Sequence, residues 1–230
     1  MNTPIVHSSG PVALFGGGTA APDEVAEICA LTGPRVAADG GARHALEHGL
    51  TLDALIGDFD SISPEQLAQI PSDRHHRIAE QDSTDFDKAL RHIVAPVVLA
   101  AGFLGGRVDH QLAVLTVLAR HPDRFCIVLG SEEIIFLCPP EISLPTREGD
   151  VVSLFPLAPV RGTSTGLVWP IDDVAFDPVL RIGTSNAATG PVTLRMKTSD
   201  MIVIAPRHCL AALTQAMESA PQAARWPVRA

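Results

Sequence analysis

A chain of 230 residues, 46% of them hydrophobic, can bury a core as one large domain or two modest ones, which excludes a disordered protein. Its 17 Lys and Arg against 26 Asp and Glu leave a formal charge of −9 with no long basic run, so neither a nucleic acid nor an anionic membrane is expected as partner. The longest apolar stretch, residues 94–104, is too short to span a bilayer, and residues 1–10 lack the pattern of a signal peptide, so a cytoplasmic protein is expected.

Along the first 140 residues, short apolar runs alternate with helix-like segments, the pattern of a parallel, Rossmann-like sheet with helices on both faces. Residues 12–15 read as a strand running into Gly16-Gly17-Gly18, followed by a helix over 23–31. A strand over 36–38 ends on Asp39, and a helix follows over 42–48. Residues 52–56 read as a strand leading through Gly57 into Asp58-Phe59-Asp60-Ser61. Ser63-Pro64-Glu65-Gln66 then has the form of a helix start, with Ser63 as cap, Pro64 in the first turn and Gln66 closing a capping box. Residues 82–84 precede a helix through His92, residues 97–101 form a buried strand, 109–120 an amphipathic helix and 125–129 a last strand. After Cys138-Pro139-Pro140 the helical periodicity stops. Short β-rich runs at 151–155, 192–196 and 201–204 predict a small antiparallel β-sandwich, with domains at 1–140 and 141–230 and a short helix after Ala211.

In an open α/β sheet, ligands bind beyond the carboxyl ends of the strands. Those positions are acidic here: Asp39 after one strand, Asp58 and Asp60 after a second, Asp85 before a helix, and Asp109 after a glycine-rich turn. Any one of them reads as a cap or turn former, but five together predict a hard-oxygen site of the kind that holds Mg²⁺ and a triphosphate. Gly16-Gly17-Gly18, Gly40-Gly41 and Gly105-Gly106 let backbone N–H groups approach an anion, or serve as ordinary tight turns. Arg107 and Lys88 are the candidate cations for phosphate oxygens, with a solvated helix residue the alternative for Lys88. Cys29, Cys126, Cys138 and Cys209 have neither metal-binding nor disulfide-framework spacing. His44 and His48 lie four apart on the predicted helix, where a solvated face outweighs a metal pair. From the residues alone, the chemistry is Mg²⁺-dependent handling of a nucleotide or phosphate. An aspartate-nucleophile phosphatase and a D-x-D glycosyltransferase remain as rivals.

Four segments resemble thiamine pyrophosphokinases in order and spacing: Ala38-Asp39-Gly40-Gly41-Ala42, Leu55-Ile56-Gly57-Asp58-Phe59-Asp60-Ser61, Asp82-Ser83-Thr84-Asp85-Phe86-Asp87-Lys88-Ala89-Leu90 and Gly105-Gly106-Arg107-Val108-Asp109-His110. Ser164-Thr165-Gly166-Leu167-Val168-Trp169-Pro170 is similar to that family's thiamine-contacting segment, and Gly183-Thr184-Ser185-Asn186 to its second conserved turn. The resemblance covers roughly residues 12–205 and departs at Gln111-Leu112-Ala113-Val114, where the family often has small polar and Asn residues.

It implies transfer of pyrophosphate from ATP to the hydroxyl of thiamine, giving thiamine diphosphate and AMP. Asp58, Asp60 and Asp85 would be catalytic and hold Mg²⁺, while Asp39, Gly40, Gly41, Lys88, Arg107 and Asp109 would serve the nucleotide. Gln81, Thr84, Thr165, Ser185 and Asn186 would line the thiamine site, with Trp169 stacked on the vitamin's ring or, alternatively, anchoring the β domain. The family also implies a homodimer whose subunits share each site. A thiamine or nucleotide sensor without turnover is the non-enzyme alternative.

Overall fold

The computed structural model describes residues 3–229, which divide into two compact units. The first runs through Val117 and takes in Val128–Gly130; the second comprises Leu118–Ile127 and the chain from Ser131 onward.

In chain order the first unit contains β1 (Val6–His7), β2 (Val12–Phe15), α1 (Pro22–Leu31), β3 (Arg35–Ala38), α2 (Ala42–Glu47), β4 (Ala54–Gly57), α3 (Pro64–Leu67), β5 (His75–Arg77), α4 (Asp85–Arg91), β6 (Ile93–Val94) and β7 (Val98–Ala101). Helix α5 (Val108–Arg120) and strand β8 (Cys126–Leu129) carry the chain across the division. Strands β7, β2, β3, β4 and β5 lie side by side in that order, and every pair is parallel. β1 and β6 form a separate parallel pair. Every residue of β2, β4 and β7 is buried. This explains why they read as unbroken apolar runs and not as alternating ones.

The helix starts follow local chemistry. Ser63 Oγ accepts from Gln66 N–H at 3.2 Å while Gln66 Oε1 accepts from Ser63 N–H at 3.2 Å, so the expected capping box closes. Thr84 Oγ1 accepts from Asp87 N–H at 3.3 Å and sets the first turn of α4.

The second unit holds β9 (Glu133–Leu137), β10 (Glu141–Leu144), β11 (Val151–Pro156), β12 (Gly162–Leu167), β13 (Gly183–Met196), β14 (Met201–Pro206) and α6 (Leu210–Glu218). Its strand pairs are all antiparallel, in the order β10, β13, β11, β14, β9, with β12 also on β13. Strand β9 lies before the break expected at residue 140, yet it pairs with β14 and groups with the second unit. The 192–196 run is the end of a 14-residue strand. The segment 183–186, expected as a turn, is that strand's irregular beginning. Ser185 has φ +61°, the register against β11 shifts between Val152 and Leu154, and Ser153 Oγ accepts from Ser185 N–H at 2.9 Å.

The tail beyond α6 is tied to its own unit. Arg225 stacks 3.9 Å above the Phe125 ring and Trp226 Nε1–H donates to Cys138 O at 2.8 Å.

Candidate active site

Because β2, β3, β4 and β7 are parallel, the segments that follow them emerge at one edge of the sheet. Residues after each of these strands, together with the start of α4, line or adjoin a cleft of about 720 Å³, ample for a nucleotide. Its wall includes Gly18, Asp39, Thr84, Asp85, Phe103 and Arg107.

Asp39 begins a 3₁₀ turn directly after β3 with φ +43°, and it is 1% exposed. Its Oδ2 accepts from Ser61 N–H at 3.0 Å, whereas its buried Oδ1 has no hydrogen-bond partner. Gly57 makes room for it, since a Cβ there would come within 2.9 Å of Asp39 Cβ. Carboxylate oxygens of Asp39, Asp58 and Asp60 lie within 4.8 Å of one another, a donor set suited to a hard divalent cation. Ser61 supports two members of the set, because its hydroxyl also donates to Asp60 Oδ1 at 2.8 Å.

Lys88 joins the remaining acids. Its ammonium sits 3.0 Å from both Asp58 Oδ2 and Asp85 Oδ1, and the side chain is 2% exposed. The solvated-helix alternative for Lys88 is therefore overturned; α4 turns the side chain inward, where only the two carboxylates repay its burial. Burial alone would lower its pKa, but the hydrogen bonds and charges of Asp58 and Asp85 raise it on balance, so Lys88 stays an ammonium. The Lys88 hydrogen bond holds the Asp58 carboxyl below its usual range, whereas burial pushes Asp85 up despite the same partner. Gln81 Nε2 donates to Asp58 Oδ2 at 3.4 Å.

Burial also raises Asp39 to about 6, assisted by the like charges of Asp85 and Asp60 and opposed by the Ser61 N–H. Folding thus raises this carboxyl from 3.8 to about 6. The folded state then binds more protons than the unfolded chain between those values, so metal-free stability falls as pH rises through that window. Asp39→Asn in the presence of chelator is accordingly expected to exceed the native protein in stability at pH 7, with the gap closing toward pH 4. Guanidinium unfolding at several pH values checks this; a gap that does not change with pH would refute it.

The other expected residues fall less centrally. Arg107 and Asp109 form a bidentate ion pair at 2.6 and 3.1 Å with both side chains mostly exposed, and Asp109 lies below its usual range, at about 2, through the Arg107 hydrogen bonds. Arg107 borders the cleft, and Asp109 pairs with its guanidinium. The glycines divide by role. Gly16 and Gly18 donate their N–H groups to Ala101 O and Gly102 O, and a Cβ on Gly41 would stand 2.0 Å from Phe15 O, so these three permit close backbone packing. Gly105 and Gly106, with φ near +78°, open the turn into α5 at the cleft.

His44 is buried and its Nε2 lies 2.8 Å from Gly18 O. It pins the loop after β2, which corrects the solvated-face reading. Arg43, Gln66, Phe103, His110 and Val114 also line the cleft and were not singled out from the sequence. Arg43 directly follows the Asp39 motif, the one signal that could have flagged it. Val114 supplies an apolar wall at the point where the sequence departs from the family pattern.

In the second unit, Trp169 is 61% exposed and its backbone is held by Asn186, whose Oδ1 accepts from Trp169 N–H at 3.2 Å and whose Nδ2 donates to Trp169 O at 2.7 Å. Asn186 thus positions the segment that carries the ring, and both residues border a hollow of about 180 Å³. Trp169 is not a core anchor of its unit. Thr165 lies on β12 and Ser185 on β13, both exposed.

A parallel sheet that gathers carboxylates, a buried ammonium and a nucleotide-sized cleft at one edge defines a phosphoryl-transfer site. Residues 27–129 match the family described as thiamin pyrophosphokinase, catalytic domain. A rice protein named thiamine pyrophosphokinase 3 is 30% identical over 208 residues, spanning 74% of this chain and 76% of its own. An Arabidopsis thaliana thiamine pyrophosphokinase 1 is 29% identical over 190 residues, spanning 66% and 70%. In fold, the chain is similar to the crystal structure of thiamin pyrophosphokinase from Geobacillus thermodenitrificans, with TM-score 0.71, 23% identity and 86% and 99% of the two chains covered. It is similar as well to the Candida albicans enzyme, with TM-score 0.73, 18% identity and 90% and 94% covered. The chain belongs to the thiamine pyrophosphokinase family.

Proposed function

We propose that this site transfers the pyrophosphoryl group of ATP to the hydroxyl of thiamine, yielding thiamine diphosphate and AMP. The observation that carries the reading is the acidic cluster of Asp39, Asp58, Asp60 and Asp85, tied by Lys88, at the edge of a nucleotide-sized cleft in a chain of this family.

The thiamine oxygen attacks the β-phosphorus and the AMP oxygen leaves, so the chain's task is to align those oxygens and offset the charge that builds on the phosphates. Asp58, Asp60 and Asp85 are the catalytic set that would hold Mg²⁺: oxygens of Asp58 and Asp60 lie within 4.8 Å of one another, and Asp85 is tied to Asp58 through Lys88. When bound, the cation neutralises triphosphate charge. Arg107 approaches the phosphates from the turn before α5. Lys88 fixes Asp58 and Asp85 in place, and Gln81 and Thr84 face the alcohol from the segment leading into α4. Trp169 meets the thiamine ring, Asn186 holds its backbone, and Thr165 and Ser185 offer polar contacts.

The proposal extends to a homodimer whose subunits share each site. An uncovered Trp169 together with Val179 and Leu180, which are 88% and 85% exposed, supports an interface on the second unit. A cytoplasmic setting fits the four free cysteines, and among the described residues no helix is long and apolar enough to cross a membrane.

The test is AMP release from ATP and Mg²⁺ with and without thiamine, with the thiamine product identified. Thiamine-dependent AMP together with thiamine diphosphate supports the proposal; ADP or free phosphate as product would overturn it. Trp169→Ala is expected to raise the thiamine KM about tenfold or more, as loss of an aromatic face from a cationic ring would, and to leave the ATP KM within about twofold. Equal effects on both constants would make Trp169 structural.

A further inference from the structure

We propose that Asp39 is a further direct ligand of the divalent cation, joining the catalytic carboxylates from its place beside Asp58 and Asp60, and is not a nucleotide contact. The inference rests on the metal-assisted reading above and assigns a new role within it.

Three independent features converge on Asp39. Its Oδ1 is buried without a partner, in a residue that is 1% exposed, and leaving a buried carboxylate oxygen unsatisfied is costly. Its backbone occupies the left-handed region at φ +43°, a conformation that Asn tolerates at least as well as Asp. Its carboxylate shares a 4.8 Å neighbourhood with those of Asp58 and Asp60, so two like charges face it where a structural role would call for a donor.

The structural role that Asp39 does have, accepting from Ser61 N–H through Oδ2, needs only one oxygen, and an Asn amide oxygen would serve it. What Asn could not do is present a second anionic oxygen to a cation. Octahedral coordination at Mg²⁺ distances places ligand oxygens about 3 to 4 Å apart, and the cluster's oxygens lie within 4.8 Å of one another. Gly57 lets the end of β4 pass close to this residue, since a Cβ there would press on Asp39 Cβ at 2.9 Å.

The experiment is Mn²⁺ binding to the full-length, chelator-treated protein, followed by loss of the free-ion paramagnetic resonance signal, for the native chain, Asp39→Asn and Asp58→Asn. ATP binding in chelator is measured alongside. Native protein is expected to bind Mn²⁺, Asp58→Asn to lose it, and Asp39→Asn to bind at least about tenfold more weakly while keeping its metal-free ATP affinity. A smaller loss of Mn²⁺ affinity in Asp39→Asn, or a loss of metal-free ATP affinity, overturns the assignment and leaves the metal reading intact through Asp58→Asn. Native protein that takes up no Mn²⁺, with or without a non-hydrolysable ATP analogue, overturns both. If the Asn variant does not fold, Asp39→Ser, too short to reach the ion, carries the same comparison.

Discussion

Asp58→Asn is expected to lower thiamine-dependent AMP release by at least about a thousandfold with the fold intact. Asp58 sits where two functions meet. Its carboxylate belongs to the cluster with Asp39 and Asp60, and its Oδ2 receives the Lys88 ammonium and the Gln81 amide. Asn preserves the shape and still accepts one hydrogen bond, so side-chain packing barely changes. The lost charge removes a cation ligand and also half of what holds Lys88 in place. The circular dichroism spectrum should match the native one, and kcat should fall far more than the ATP KM rises, because the missing charge acts mainly on the transferring phosphates. Asp85→Asn should behave alike for the same two reasons, since Asp85 borders the cleft and pairs with Lys88. Turnover near the native level in either variant would remove that residue from the catalytic set.

The scaffold of this site was legible because its strands are buried on both faces. Runs such as Val12–Phe15 and Val98–Ala101 contain no polar residue and stop at glycine, so their extents and their role as sheet centre followed from composition alone. The acidic positions were legible as a set, since one carboxylate after a strand reads as a cap or turn former whereas five at the same end of the sheet do not. What sequence does not encode locally is which carboxylates meet. Asp39 and Asp58 are 19 positions apart and come together only through the parallel pairing of β3 with β4. The nucleotide role of Asp39 came from the family resemblance, and nothing local says that its carboxylate lies beside those of Asp58 and Asp60.

Lys88 shows the same limit from the other side. Its i,i+3 relation to Asp85 is visible on any helical wheel, but its second partner, Asp58, arrives from the segment after β4, so burial could not be inferred. His44 was read as solvated because nothing local reveals that the loop after β2 folds over α2 to offer Gly18 O. In the second unit, Gly190 and Pro191 look like a break in the sequence, whereas β13 passes through both. Strand β9 went unrecognised as part of the second unit because its apolar run looks the same whether its neighbour is parallel or antiparallel.

Lys88→Met is expected to destabilise the metal-free protein by about 3 kcal/mol or more, the scale for removing one partner from a buried ion pair. Met matches the length and apolar stem of Lys, so the loss isolates the ammonium from the packing. Without it Asp58 and Asp85 lack their shared cation, and Asp58 keeps only the weaker donors Gln81 Nε2 and Asp60 N–H, each at 3.4 Å. Two further observations would separate this cause from a simple packing defect. As pH falls, these carboxylates protonate, so the difference from the native protein should shrink in acid, whereas a cavity would cost the same at every pH. Adding Mg²⁺ should also recover part of the loss, since a divalent ion among the same oxygens replaces the missing positive charge. Urea unfolding of both proteins in chelator and in Mg²⁺, at neutral and acid pH, reads all three effects. A deficit that ignores both pH and metal would mean that Lys88 acts through its hydrocarbon stem and that the Asp58–Lys88–Asp85 bridge contributes little to the fold.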